Sequence, residues 1–74
     1  MPNRTLRLNY PAALLLQPIV QQLIRTFNVS VNIVRAQISL EEGWLEIEVE
    51  GAEAELGRAE AWLGSQGIEV LQIG

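Results

Sequence analysis

Cysteine and histidine are both absent from these 74 residues, and so are lysine and aspartate: every cation is one of five arginines and every anion one of nine glutamates. Each absence closes off a class of chemistry. Without cysteine there is no disulfide, no thiolate nucleophile and no soft ligand for zinc or an iron–sulfur cluster. Without histidine no side chain titrates near neutrality, and Ser30, Ser39 and Ser65 have no general base. The glutamates could pair as acid and base, but no pattern places them in a pocket that would split their pKa values. A protein that is not an enzyme, with no metal and no cofactor, is the expectation.

Long apolar runs are missing too. None approaches the roughly 20 residues of a membrane span, and no signal-peptide pattern opens the chain. The expected location is the cytoplasm, and lack of cysteine argues neither for nor against it. Positive charge is also scarce: the net charge is −4 and the pI near 4.6. Such a surface repels phosphate backbones, so nucleic acid is not an expected partner.

What is present suits one small domain spanning residues 1–74, with no linker or low-complexity segment. A chain of 8.2 kDa buries only about 60% of its unfolded surface, which leaves a marginal core. With no disulfide or metal to staple it, association into a homodimer is the remaining route to stability.

Thr5 to Tyr10 reads as a first strand, with Leu6, Leu8 and Tyr10 on one face and Thr5, Arg7 and Asn9 on the other. Pro11 stops it. Pro18 is placed at the first position of a helix with Gln17 before it, and Val20, Leu23, Ile24 and Phe27 form its apolar stripe. Leu14, Leu15 and Leu16 then lie in a connection. One or two of them pack beneath the helix start, or they form an apolar flap at a ligand site or dimer contact.

The longest strand-like segment follows. Val29, Val31 and Ile33 alternate with Ser30 and Asn32, then the phase slips to Val34, Ala36, Ile38 and Leu40. A regular strand would put these two sets on opposite faces and point Arg35 into the core. A bulge near Asn32 to Val34 returns Arg35 to the polar face and is the better reading. Glu41-Glu42-Gly43 marks a hairpin turn, and Leu45, Ile47 and Val49 face inward on the next strand while Glu46, Glu48 and Glu50 face out. That glutamate row needs cations beside it, and Arg7 and Arg35 are the candidates. It is a solvated, partly paired sheet face or, functionally, a docking surface for a basic partner.

Ala52 to Gln66 makes a second helix, with Ala52, Leu56, Ala59 and Leu63 as its stripe and Gly67 as its left-handed stop. Gly57 inside it suggests close packing. Ile68 to Ile73 supplies an edge strand. The order is β-α-β-β-α-β, and right-handed crossovers turn it into an α+β, ferredoxin-like sandwich with two helices on one face of a four-stranded antiparallel sheet.

The run Phe27-Asn28-Val29-Ser30-Val31-Asn32-Ile33-Val34, followed by Ala36-Gln37, resembles the signature of the NIL domain, named for an Asn-Ile-Leu motif that here reads Asn32-Ile33-Val34. Pro18-Ile19-Val20, Gly43-Trp44, Gly51, Leu63 and Gly67-Ile68-Glu69-Val70 extend the resemblance along nearly the whole chain. The family comprises small ferredoxin-like regulatory domains at the C-terminus of the ATPase subunit of methionine-importing ABC transporters, and beside iron–sulfur ferredoxin modules. The resemblance thus implies an amino-acid-binding regulatory domain, with methionine as a ligand and a transporter ATPase or a ferredoxin as a partner. It places Asn32, Ile33 and Val34 at the ligand: the Asn32 amide can donate to a carboxylate and accept from an ammonium, and Ile33 and Val34 are candidates for the side-chain pocket. The structural alternative for Asn32 is a bond to its own backbone at the bulge. Leu14, Leu15, Leu16, Ala36, Ile38 and Trp44 are candidates for the pocket or interface. The short Gly43-Trp44 turn departs from the importers' Gly-x-x-Phe-Gly pattern and resembles the ferredoxin-linked branch, which favours a second reading as an interaction or dimerisation module.

Overall fold

A computed structural model describes residues 1–73. Strand β1 covers Asn3–Pro11, a single 3₁₀ turn covers Ala12–Leu14, and helix α1 covers Ile19–Thr26. Strands β2 (Ser30–Ile38) and β3 (Glu42–Glu50), helix α2 (Glu53–Ser65) and strand β4 (Glu69–Gln72) complete the order. The sheet runs β2-β3-β1-β4, all neighbours antiparallel. This is the ferredoxin-like arrangement that the alternation of periods implies.

The core lies between the helices and one sheet face. Leu6 and Leu8 of β1 and Ile47 and Val49 of β3 meet Ile19 and Leu23 of α1 and Leu56, Ala59 and Leu63 of α2. Arg4, inward on β1 opposite Val49, is drawn to α2 by Glu53 at 2.8 Å and by Glu60. Phe27 and Trp62 close one side edge to face, with ring centroids 6.0 Å apart.

Strand β2 is bulged where the phase slips. Ile33 pairs with Ile47 and Arg35 with Glu46, so Val34 is the extra residue. Arg35 thereby reaches the outward face and binds Glu46 at 2.6 Å.

Four expectations are corrected. The stripe of α1 is narrower than the sequence pattern, with Ile19 and Leu23 buried and Ile24 exposed. A two-turn helix with one sheet beneath it buries a single i, i+4 ridge, and Pro18 caps the helix rather than starting it. The hairpin turns earlier than expected, with Leu40 and Glu41 at its tip. Ser39 closes it, its backbone N–H donating to the Glu42 carbonyl at 2.8 Å while its hydroxyl accepts from the Glu42 N–H at 3.3 Å. Gly43 serves packing instead, since a Cβ there would lie 2.6 Å from Leu15 Cδ2. Gly57, by contrast, faces open space, with nothing within 4 Å of an added Cβ among the described residues.

Candidate functional site

The helices cover one face of the sheet, so the polar residues of the strands are left on the other. Across this open face the register sets Asn9, Trp44 and Gln37 in one row, Arg7, Glu46 and Arg35 in the next, then Thr5, Glu48 and Asn32, and last Asn3, Glu50 and Ser30. Arg7 lies over the Trp44 ring, 4.3 Å from its centroid, and shields the indole that the sequence leaves on a polar face. Its Nε donates to Asn9 Oδ1 at 3.2 Å, and the Asn9 amide donates to Glu69 at 2.7 Å. Glu46 is held by Arg35, while Glu48 and Glu50 are exposed and have no cation within 4.0 Å among the described residues.

At the last two rows the face is hollowed into a shallow groove of about 190 Å³, lined by Asn3, Ser30, Val31, Asn32, Glu48 and Glu50. Val31 lies on the inward-facing phase; the other five are polar. None of those five side chains makes a hydrogen bond to protein among the described residues. Asn32 therefore does not spend its amide on the backbone of the bulge, which lies beyond it at Val34. Both faces of that amide are available to a ligand.

A second groove of about 190 Å³ opens on the helix side at the far end of the sheet. Tyr10, Leu15, Ile19, Ile38, Trp44 and Leu45 are among the residues that line it, with Pro18 at the helix entry. It exists because β1 ends at Pro11 and the chain crosses over Gly43 before α1 begins. Burial raises the pKa of the Tyr10 phenol, so it stays neutral there. Ile38 in the groove lining is 67% exposed; Leu16, next in the chain after Leu15, is 98% exposed and Leu40 at the hairpin tip 99%.

The residues expected at a site are thus divided between two places. Asn32 lies on the open face in the polar groove. Ile33 pairs with inward-facing Ile47 but is half exposed, and Val34 is exposed at the bulge. Leu15, Ile38 and Trp44 meet at the apolar groove; Leu14 packs on the core instead, and Ala36 is exposed opposite Leu45. Sequence reading put Glu48 in the outward glutamate row but not beside Asn32, and it overlooked Ser30 and Asn3 there. Counting the β2–β3 register through the bulge would have paired Asn32 with Glu48. It also missed Tyr10, Pro18 and Ile19, for which a tight helix entry over the end of the sheet is the signal.

The family model of the NIL domain matches residues 4–71. Among solved structures, the chain is similar to the C-terminal domain of an ABC transporter ATP-binding protein from Enterococcus faecalis, with a TM-score of 0.85. The two are 24% identical, over 96% of this chain and 83% of that one, so the likeness carries the fold. Comparison with curated proteins gives no match.

Proposed function

This chain belongs to the NIL domain family, and on that premise we propose that it is a non-catalytic regulatory domain that binds a free amino acid and acts as a dimer. Methionine is the ligand to test first, and an ATPase of an ABC transporter is the partner the solved relative suggests. A cytoplasmic location goes with that partner. The observation that carries the reading is Asn32, the motif residue, held on a groove with its amide free of protein partners among the described residues.

Dimerisation rests on β2. It is an edge strand, so one row of its backbone N–H and C=O groups has no strand beside it. It also exposes Ile33, Val34 and Ile38 along that edge. Charged or proline residues commonly blunt such an edge, and here Arg35 alone does so. A second copy added along β2 would cover the apolar side chains and extend the sheet. Light scattering at micromolar concentration should show about twice 8.2 kDa for this chain; a species of 8.2 kDa alone excludes the dimer.

Calorimetric titration with methionine and other amino acids tests the ligand. Removing one hydrogen-bonding partner of a charged group costs about 1.5–3 kcal/mol, so Asn32→Ala should weaken binding roughly tenfold to over a hundredfold. The exposed position of Asn32 means the fold should survive. No heat from the wild type at millimolar ligand removes the sensor reading; equal affinity in both proteins removes Asn32 from the site.

A second reading, a protein-interaction module for a ferredoxin or another partner, is favoured by a different observation. Leu16 and Leu40 are almost fully exposed and Ile38, which lines the apolar groove, is 67% exposed; a ligand at Asn32 would leave all three uncovered. Replacing Leu16 and Leu40 with Ser should leave amino-acid binding unchanged and abolish capture of such a partner.

A further inference from the structure

An amino acid offers two charges, and the polar groove is not symmetric toward them. Its charged lining residues are Glu48 and Glu50, with no arginine among the residues that line it. Arg7 and Arg35 are one row away, committed to the Trp44 ring and to Glu46. Glu48 is the cross-strand partner of Asn32. Paired side chains stand about 4.5–5.5 Å apart at Cβ, close enough for one ammonium to touch both. Glu48 is exposed, and its carboxylate is spent on no protein donor among the described residues.

From this we propose that Glu48 takes the ammonium of the ligand at Asn32, and that the groove recognises a primary amine rather than a carboxylate. The inference rests on the amino-acid reading of Asn32 and sharpens it. The ammonium gains a counter-ion from Glu48 and an acceptor from the Asn32 amide oxygen. A ligand carboxylate finds only neutral donors, the Asn32 and Asn3 amides and the Ser30 hydroxyl, and it lies under the field of Glu50, two residues along the same strand. Neutralising that carboxylate therefore helps binding, whereas acylating the amine removes the group that is read.

Three probes separate these effects: methionine, methioninamide and N-acetylmethionine, each titrated calorimetrically into the wild type and Glu48→Gln at neutral pH. The wild type should bind methioninamide at least as tightly as methionine and N-acetylmethionine not at all. Glu48→Gln keeps the shape of the side chain on an exposed position, and should weaken both amines roughly tenfold to a hundredfold. Circular dichroism confirms that the variant is folded. Methionine binding equally to wild type and Glu48→Gln overturns the inference and leaves the amino-acid reading standing, as does methionine binding while the amide does not. Binding of the amide without methionine, lost in Glu48→Gln, upholds the inference and removes the amino acid as ligand. Heat from none of the three overturns both.

Discussion

Gly57 gives the sharpest test of how α2 is used. It sits inside that helix on the face turned from the sheet, and a methyl group added there meets no atom beyond its own turn of helix within 4 Å among the described residues. Glycine in an exposed helix interior costs about 0.5–1 kcal/mol relative to alanine, mainly through the freedom it keeps in the unfolded chain. Gly57→Ala should therefore stabilise the domain by about that amount. Gly64, in the last turn, faces open space too and should add a smaller gain. The positions are two helical turns apart, about 10 Å at a rise of about 1.5 Å per residue, so the gains should add. In a domain of this size each kcal/mol moves the melting temperature by about 4–8 °C. Thermal and urea melts followed by circular dichroism, at one protein concentration, read the effect. Gly67→Ala is the control of opposite sign, because φ is 95° there and a side chain is strained. A loss of stability in Gly57→Ala would refute the reasoning: the outer face of α2 would have to lie against another surface in the folded protein.

Two further outcomes follow from the charge pairs. Arg35→Leu should cost about 1–3 kcal/mol in a urea melt, because the Arg35 side chain is 70% exposed but its partner Glu46 is only 13% exposed and loses its cation; Glu46→Gln in the same background should recover most of that loss, and no recovery would mean that Arg35 supports the core. Glu55 accepts the Asn28 backbone N–H at 2.8 Å and, second, Arg58, and both hold its carboxyl below the ordinary glutamate pKa. A depressed folded pKa contributes stability above the unfolded value of about 4.3, lost as pH falls through the folded value. The gap in stability between wild type and Glu55→Gln should thus be full at pH 7 and close below about pH 4, and a gap independent of pH would sink the assignment.

The fold was legible because its two periods are clean where burial is one-sided. Leu6 and Leu8, or Ile47 and Val49, alternate because one sheet face meets helices and the other does not. Leu56, Ala59 and Leu63 repeat at helical spacing for the same reason. The bulge could be read because it leaves a phase error and Arg35 on the wrong side of it. What could not be read is how far the helices reach. Ile24 and Ile38 carry the right period, yet two short helices do not extend over them, and reach is set by the whole packing. The candidate site was legible in Asn32 alone. Ser30 is two residues back on its own strand and shares its face by alternation, but Glu48 and Asn3 come from two other strands, and only register brings them beside it.

Register also separates what β2 does for the fold from what it does at its edge. With Val34 removed, Ser30, Asn32, Arg35 and Gln37 would still point to the open face, and Val31, Ile33, Ala36 and Ile38 to the opposite one. The alternation becomes regular, and every pairing with β3 from Ser30–Glu50 to Ile38–Gly43 can be kept. The bulge is therefore not required by the core. Deleting Val34 should change stability by no more than about 1 kcal/mol, since the residue is half exposed and pairs with nothing on β3. Deleting Glu48 from β3 is the contrast. That strand is paired on both sides, and the loss would turn either Ile47 or Val49 to the open face. It should leave no folded protein. A straightened β2 presents a flatter edge, so the Val34 deletion should also shift the monomer–dimer balance or promote open-ended strand association. Circular dichroism melts and light scattering on the two deletions decide the matter. If removal of Val34 unfolds the domain as removal of Glu48 does, the bulge belongs to the fold. If it folds with unchanged stability and altered association, the bulge belongs to the edge.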